Sequence, residues 1–106
     1  MNKVQHWDEA GFRDAVRSGG LILADFYGEW CGPCKVQAKT LDEVTASLPE
    51  TVTVGKIDIS SSPSVAAEYG VTAIPTLILF RNGAVLEVST GLCSREKLLA
   101  MLKKYL

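Results

Sequence analysis

The sequence predicts an α/β fold: a central mixed sheet of five strands flanked by four helices, in the order βαβαβαββα. Three observations carry that prediction. Leu21 to Tyr27 is a short apolar run with the length and bulk of a strand covered on both faces, and Thr76 to Phe80 is a second one. Thr51 to Asp58 alternates and is rich in β-branched residues, which suits a third strand. Stretches with apolar residues at helical spacing alternate with these runs, an order that folds as a sheet with helices on both faces.

Taken from the N-terminus, Val4 to His6 reads as a short edge strand. Asp8 can cap the first helix, with Trp7 and Phe12 at the two positions of a hydrophobic staple. Phe12 and Val16 continue its inner face, and Gly19-Gly20 ends it. After the strand Leu21–Tyr27, a long helix is expected from about Gly32 to Leu48. Val36, Leu41, Val44 and Leu48 form its inner face, Lys35, Lys39, Asp42 and Glu43 its wet side, and Pro49 its stop. Ser62-Pro63 has the form of a cap and a first-turn proline for a short helix that packs through Val65, Ala66 and Tyr69 and closes at Gly70. Asn82-Gly83 lies between strand-like runs, so the strand from Ala84 to about Thr90 should return antiparallel beside Thr76–Phe80. Ser94 caps a last helix with Leu98, Leu102 and Tyr105 on one face and Leu99 and Leu106 beside it.

The bulk properties narrow the function classes. A chain of 106 residues is expected to be one domain, spanning 1–106, with a core large enough to stand without staples. Its 47% hydrophobic and 22% charged residues are those of a globular protein. A net charge of −1 gives no electrostatic reason to expect nucleic acid or an anionic membrane as partner. No run reaches the length of a membrane span. The first residues lack the apolar core of a secretory signal, which favours a cytoplasmic protein. Three cysteines are an odd number in a chain that needs no disulfide framework, so they point to chemistry.

Two of them, Cys31 and Cys34, follow the end of the strand Leu21–Tyr27 directly, with Gly32-Pro33 between them. Proline suits the first turn of a helix, so Cys31 falls at a helix N-terminus. Unpaired N–H groups and the helix dipole favour negative charge there, and the thiolate is the reactive form of cysteine. The stretch therefore reads as a redox-active dithiol. Zinc is the alternative, but it wants four ligands and only Cys93 and His6 remain as soft or imidazole donors. No metal is expected. Asp25 interrupts the apolar strand, where burial would raise its pKa and make it a proton-exchange partner for Cys34. The alternative is a solvated carboxylate on an edge strand.

Trp30-Cys31-Gly32-Pro33-Cys34-Lys35 resembles the active-site signature of the thioredoxin family, and the likeness runs from about Trp7 to Leu106. The resemblance implies the thioredoxin fold and a small protein that reduces disulfides in other proteins, with no cofactor of its own. A flavin-dependent reductase would recycle it, and it would act as a monomer. The resemblance also implies that Cys31 attacks first and Cys34 resolves the mixed disulfide, closing a Cys31–Cys34 disulfide. It supports the proton role for Asp25 and matches Lys56 to a lysine near that aspartate. The residues themselves leave Lys56 open between an inward and an exposed strand lysine. Pro75, at the start of a strand, is assigned a cis bond by the resemblance alone, which would expose the Ile74 backbone to an extended substrate. Trp30, Gly32, Ala73, Ile74, Pro75, Gly91 and Leu92 would form a small, mostly uncharged docking surface around Cys31. Trp30, Gly32, Pro33, Lys56 and Pro75 are the supporting residues.

Three departures from the family pattern stand out. Tyr27 lies where many members carry tryptophan, Lys39 where many carry a kinking proline, and Cys93 is an extra thiol. Cys93 fits the staple position before Ser94 as a small hydrophobe, with a regulatory or dimer-forming thiol as the alternative. Trp7 and His6 read as structural. Two rival functions share the fold: an oxidase or isomerase, and a binding subunit with incidental thiols. Gly32-Pro33 between the cysteines resembles the reducing members.

Overall fold

The computed structural model describes residues 1–106. Its elements are β1 (Gln5–Trp7), α1 (Glu9–Arg17), β2 (Leu21–Tyr27), α2 (Gly32–Ala46), β3 (Val52–Asp58), α3 (Pro63–Glu68), β4 (Thr76–Arg81), β5 (Ala84–Thr90) and α4 (Arg95–Lys103). The sheet order is β1-β3-β2-β4-β5. Strand β3 runs parallel to both β1 and β2, whereas β4 is antiparallel to β2 and to β5. This is the expected mixed sheet with four helices.

Alternation along β2 divides the core in two, because successive side chains point to opposite faces. Leu21 and Leu23 join one cluster with Leu41, Val44 and Leu48 of the α2 segment and Leu98, Met101 and Leu102 of α4. Ile22, Ala24 and Phe26 join the other, with Phe12 and Val16 of α1 and Val65 of α3. Helices α2 and α4 thus cover one face, and α1 and α3 the other.

Local chemistry fixes most element ends. The Gly11 N–H donates to Asp8 Oδ1 at 2.7 Å, and the Lys97 N–H to Ser94 Oγ at 3.2 Å. Such caps contribute about 1 kcal/mol each. Trp7 meets Phe12 edge to face at 6.1 Å, which closes the expected staple. Asn82 and Gly83 both have positive φ, 53° and 79°, the backbone of a type I′ hairpin turn. Glycine adopts that conformation without cost.

Four expectations need correction. Strand β1 is Gln5–Trp7, not Val4–His6, because Trp7 pairs with Ile57 and its ring lies against Gly55, whose missing Cβ makes room for it. Helix α2 ends at Ala46, short of Leu48. Val36 is 54% exposed, and its neighbour Gln37 takes the buried position expected of it. Ser62 is buried but makes no side-chain capping bond to α3.

Candidate active site

Cys31 occupies the N-cap of α2, and its sulfur accepts a hydrogen bond from the Cys34 N–H at 3.2 Å. The sulfur thus takes the place that a serine or aspartate oxygen usually holds at a cap. The two cysteines are joined as a disulfide, with their Cα atoms 5.2 Å apart, so this is the oxidised form. Cys31 is half-buried, whereas Cys34 is buried one turn inside the helix.

The sheet supplies the charges beneath. Asp25 has the same parity along β2 as Leu21 and Leu23, and Lys56 the same parity along β3 as Val52 and Val54. Both therefore project to the face covered by α2. They are also direct partners in the parallel β2–β3 register. Asp25 is fully buried, and neither carboxyl oxygen has a hydrogen-bond partner. Burial pushes its pKa up to about 7, with Lys56 pulling the other way. The Lys56 ammonium sits 4.3 Å above the Tyr27 ring, a cation–π contact, and the residue is half-buried. Lys56 is thus neither inside nor free on the surface. Tyr27, Cys34 and Lys56 line one shallow groove of about 410 Å³ together with Gly28, Glu29, Lys35 and Ala38.

The Ile74–Pro75 peptide bond is cis, and Cys31 Sγ lies 4.0 Å from the Ile74 carbonyl oxygen. Thr76 Oγ1 donates to the Ala73 carbonyl at 2.6 Å, which pins the turn before β4. The Gly91 N–H donates to the Pro75 carbonyl at 2.8 Å, bringing the β5–α4 connection alongside. Gly91 has φ 86°, a left-handed conformation that any other residue would strain. Ala73 and Gly32 are exposed, as is Pro33, while Ile74 and Gly91 are half-buried. Trp30 is 95% exposed and Leu92 54% exposed. Of the set expected around Cys31, Ile74 lies against the Cys31 sulfur, and Pro75 and Gly91 are tied by a backbone hydrogen bond. Trp30 joins them only through its place in the chain before Cys31.

Cys93 is a free, buried thiol packed in the cluster with Leu41, Val44 and Leu98. The residue sequence reasoning missed is Gln37. It is fully buried, its Nε2 donates to the Cys93 carbonyl at 3.2 Å, and its Oε1 accepts from the Cys93 N–H at 2.8 Å. The signal was present in the spacing, because 34, 37, 41, 44 and 48 trace one helical stripe, and Val36 lies off it.

The Thioredoxin family model matches residues 3–104. A thioredoxin of Chlamydia trachomatis serovar D is 45% identical over 102 residues, covering 96% of this chain and 98% of that protein. One from Bacillus subtilis is 39% identical over 92 residues, covering 87% and 88%. Among solved structures, a mutant thioredoxin from Halobacterium salinarum superposes with a TM-score of 0.88 at 29% identity, covering 97% of this chain and 90% of that one. The Malassezia sympodialis thioredoxin gives a TM-score of 0.89 at 26% identity, covering 99% and 92%. No helix here is long and apolar enough to cross a membrane. A bonded cysteine pair at a helix cap, on this fold and with these relatives, leads to one conclusion: the chain belongs to the thioredoxin family and is a thiol–disulfide oxidoreductase that reduces protein disulfides.

Proposed function

We propose that Cys31 is the attacking sulfur and Cys34 the resolving one, with Asp25 moving the proton between the two steps. The observation that carries this reading is the Cys34 N–H donated to Cys31 Sγ, because the same N–H would stabilise a thiolate there. In the reduced protein the Cys31 thiolate attacks one sulfur of a substrate disulfide. The S–S bond breaks, its electron pair leaves on the second substrate sulfur, and a mixed disulfide forms. Cys34 then gives its proton to the Asp25 carboxylate and attacks Cys31 Sγ, releasing the remaining substrate thiolate and closing the Cys31–Cys34 disulfide. Two electrons pass to the substrate. A carboxyl with a pKa of about 7 accepts and returns a proton near neutrality, which suits a general base.

Trp30, Gly32, Pro33, Ala73, Ile74, Pro75, Gly91 and Leu92 form the docking rim in this reading, and Lys56 tempers the charge on Asp25. Small and apolar residues let varied backbones approach closely. A flavin-dependent thioredoxin reductase returns the disulfide to the dithiol. The protein acts as a monomer in the cytoplasm, where thiols are kept reduced.

Insulin reduction in the presence of dithiothreitol tests the roles. Cys31→Ser should abolish the acceleration, whereas Cys34→Ser should accumulate a covalent adduct with substrate, visible by mass. Asp25→Asn should slow release from the mixed disulfide and flatten its pH dependence. An adduct forming on Cys34 in Cys31→Ser would reverse the assignment, and an unchanged release profile would remove Asp25 from it.

A further inference from the structure

The β5–α4 connection is held at two points, with an exposed apolar side chain between them. At one point the Gly91 N–H reaches the Pro75 carbonyl at 2.8 Å. At the other, the Cys93 N–H and carbonyl are both paired by the amide of Gln37, at 2.8 and 3.2 Å. Leu92, the residue between, is 54% exposed although both its neighbours are anchored. Gln37 stands three residues after Cys34 on α2, hence on the same side of the helix. The connection is therefore fastened on one side to the turn at Ile74–Pro75 and on the other to the helix that carries the dithiol.

A fully buried glutamine is an expensive choice unless its amide has work to do, because an apolar residue on that stripe would pack at no polar cost. Its amide oxygen accepts from the Cys93 N–H and its amide nitrogen donates to the Cys93 carbonyl, so both backbone polar groups of that residue are satisfied. Few other side chains complete both bonds from one position. Elsewhere the same stripe is filled by Leu41 and Val44, which fasten α2 to the core without polar contacts. Gln37 is thus not needed to hold the helix down. The Cys93 side chain packs in the same core, and Gln37 adds the two bonds that fix its backbone, and with it the outward aim of Leu92.

The geometry points to Gln37 as a positioning residue for substrate docking, which ties the Leu92 connection to the dithiol helix and so holds the rim in shape for a protein substrate. This rests on the reading of Leu92 as part of the docking rim. Gln37 makes no hydrogen bond to Cys31 or Cys34, and its two amide bonds go to the Cys93 backbone. It acts by sparing the complex the cost of ordering the connection on binding, so its effect belongs in KM.

The experiment compares Gln37→Met, Leu92→Ser and the double variant with the parent, using insulin as a protein disulfide and Ellman's reagent as a small one. Gln37→Met keeps an apolar stem of similar length but removes both bonds. It should raise KM for insulin about fivefold, the effect expected from having to order one side chain on binding. Its kcat, its rate with Ellman's reagent and the iodoacetamide alkylation rate of Cys31 should match the parent's. In the Leu92→Ser background the same change should add nothing, since the side chain being positioned is gone. An unchanged KM in Gln37→Met, or equal losses with both disulfides, overturns the proposal. If Leu92→Ser itself leaves KM unchanged, the docking reading fails instead, and the two failures are distinct. Amide exchange on the unaltered chain covers the case of a variant that does not fold. The Cys93 amide should exchange far more slowly than that of Leu92, and equal rates overturn the clamp.

Discussion

The Asp25 carboxyl, held near a pKa of about 7 by burial, is protonated on one side of neutrality and ionised on the other, so its cost to the fold varies with pH. In the unfolded chain it ionises near 3.8. Between those two values the native state holds a proton that the unfolded state has released, so stability falls as pH rises from about 3.8 to about 7 and is level beyond. Asp25→Asn removes this slope. In urea titrations of the oxidised protein, its advantage over the parent should widen between pH 5 and pH 8 by on the order of 3 kcal/mol. A gap that stays constant would mean that Lys56 and solvent satisfy the carboxylate better than its two unpartnered oxygens suggest. A carboxylate inside an apolar strand was legible in the sequence as a buried group, because nothing in Leu21–Tyr27 offers it water. The geometry of Lys56 was not, since a lysine can lie along a ring face with its stem buried and its head wet.

At the scale of the element, α2 shows where sequence reading succeeds and where it slips. Pro33 and the paired cysteines mark its start, and Cys31 does cap it. Its inner face was misjudged by one residue, because Gln37 is polar and Val36 is not. A rule that ranks residues by hydropathy passes over a polar side chain whose bonds lie far away in the chain. Cys93 is 56 residues distant, and nothing local announces it. The exposure of Val36 makes a direct forecast. Val36→Lys should change stability by less than about 0.5 kcal/mol, the usual range for surface positions, and leave insulin reduction unaltered. Leu41→Ala, five residues on and fully buried, should cost about 2–5 kcal/mol. A larger loss from Val36→Lys in chemical denaturation would place Val36 in an interface. The missing cap at Ser62 has a related cause: Ser-Pro satisfies the sequence rule, but the backbone there, φ −134° and ψ 57°, is not the extended form that a capping side chain uses.

The molecule as a whole separates support from chemistry across the sheet. The order of elements, the hairpin and the two-sided burial of β2 were legible because strands and helices carry different periods. The contacts that build the site were less so, because they join β2, α2 and the segments flanking β4 and β5, which the chain visits at wide intervals. On the face away from Cys34, Phe12 stands at the centre of an aromatic group. Its ring lies 5.7 Å from Phe26, 5.8 Å from Phe80 and 5.8 Å from Tyr69, all edge to face. Phe12→Ala should cost about 3–5 kcal/mol, through lost burial and the cavity left behind. That is a large part of the roughly 5–15 kcal/mol by which a domain is stable. Asp25, Lys56 and α2 lie on the opposite face, and the sheet between them is held by backbone bonds that Phe12 does not make. The variant should therefore unfold at much lower denaturant concentration, yet alkylate at Cys31 and reduce insulin at the parent's rates at 25 °C wherever it remains folded. A change of more than about twofold in Cys31 alkylation would exceed about 0.4 kcal/mol of coupling and show that packing on one face reaches the thiolate through the sheet.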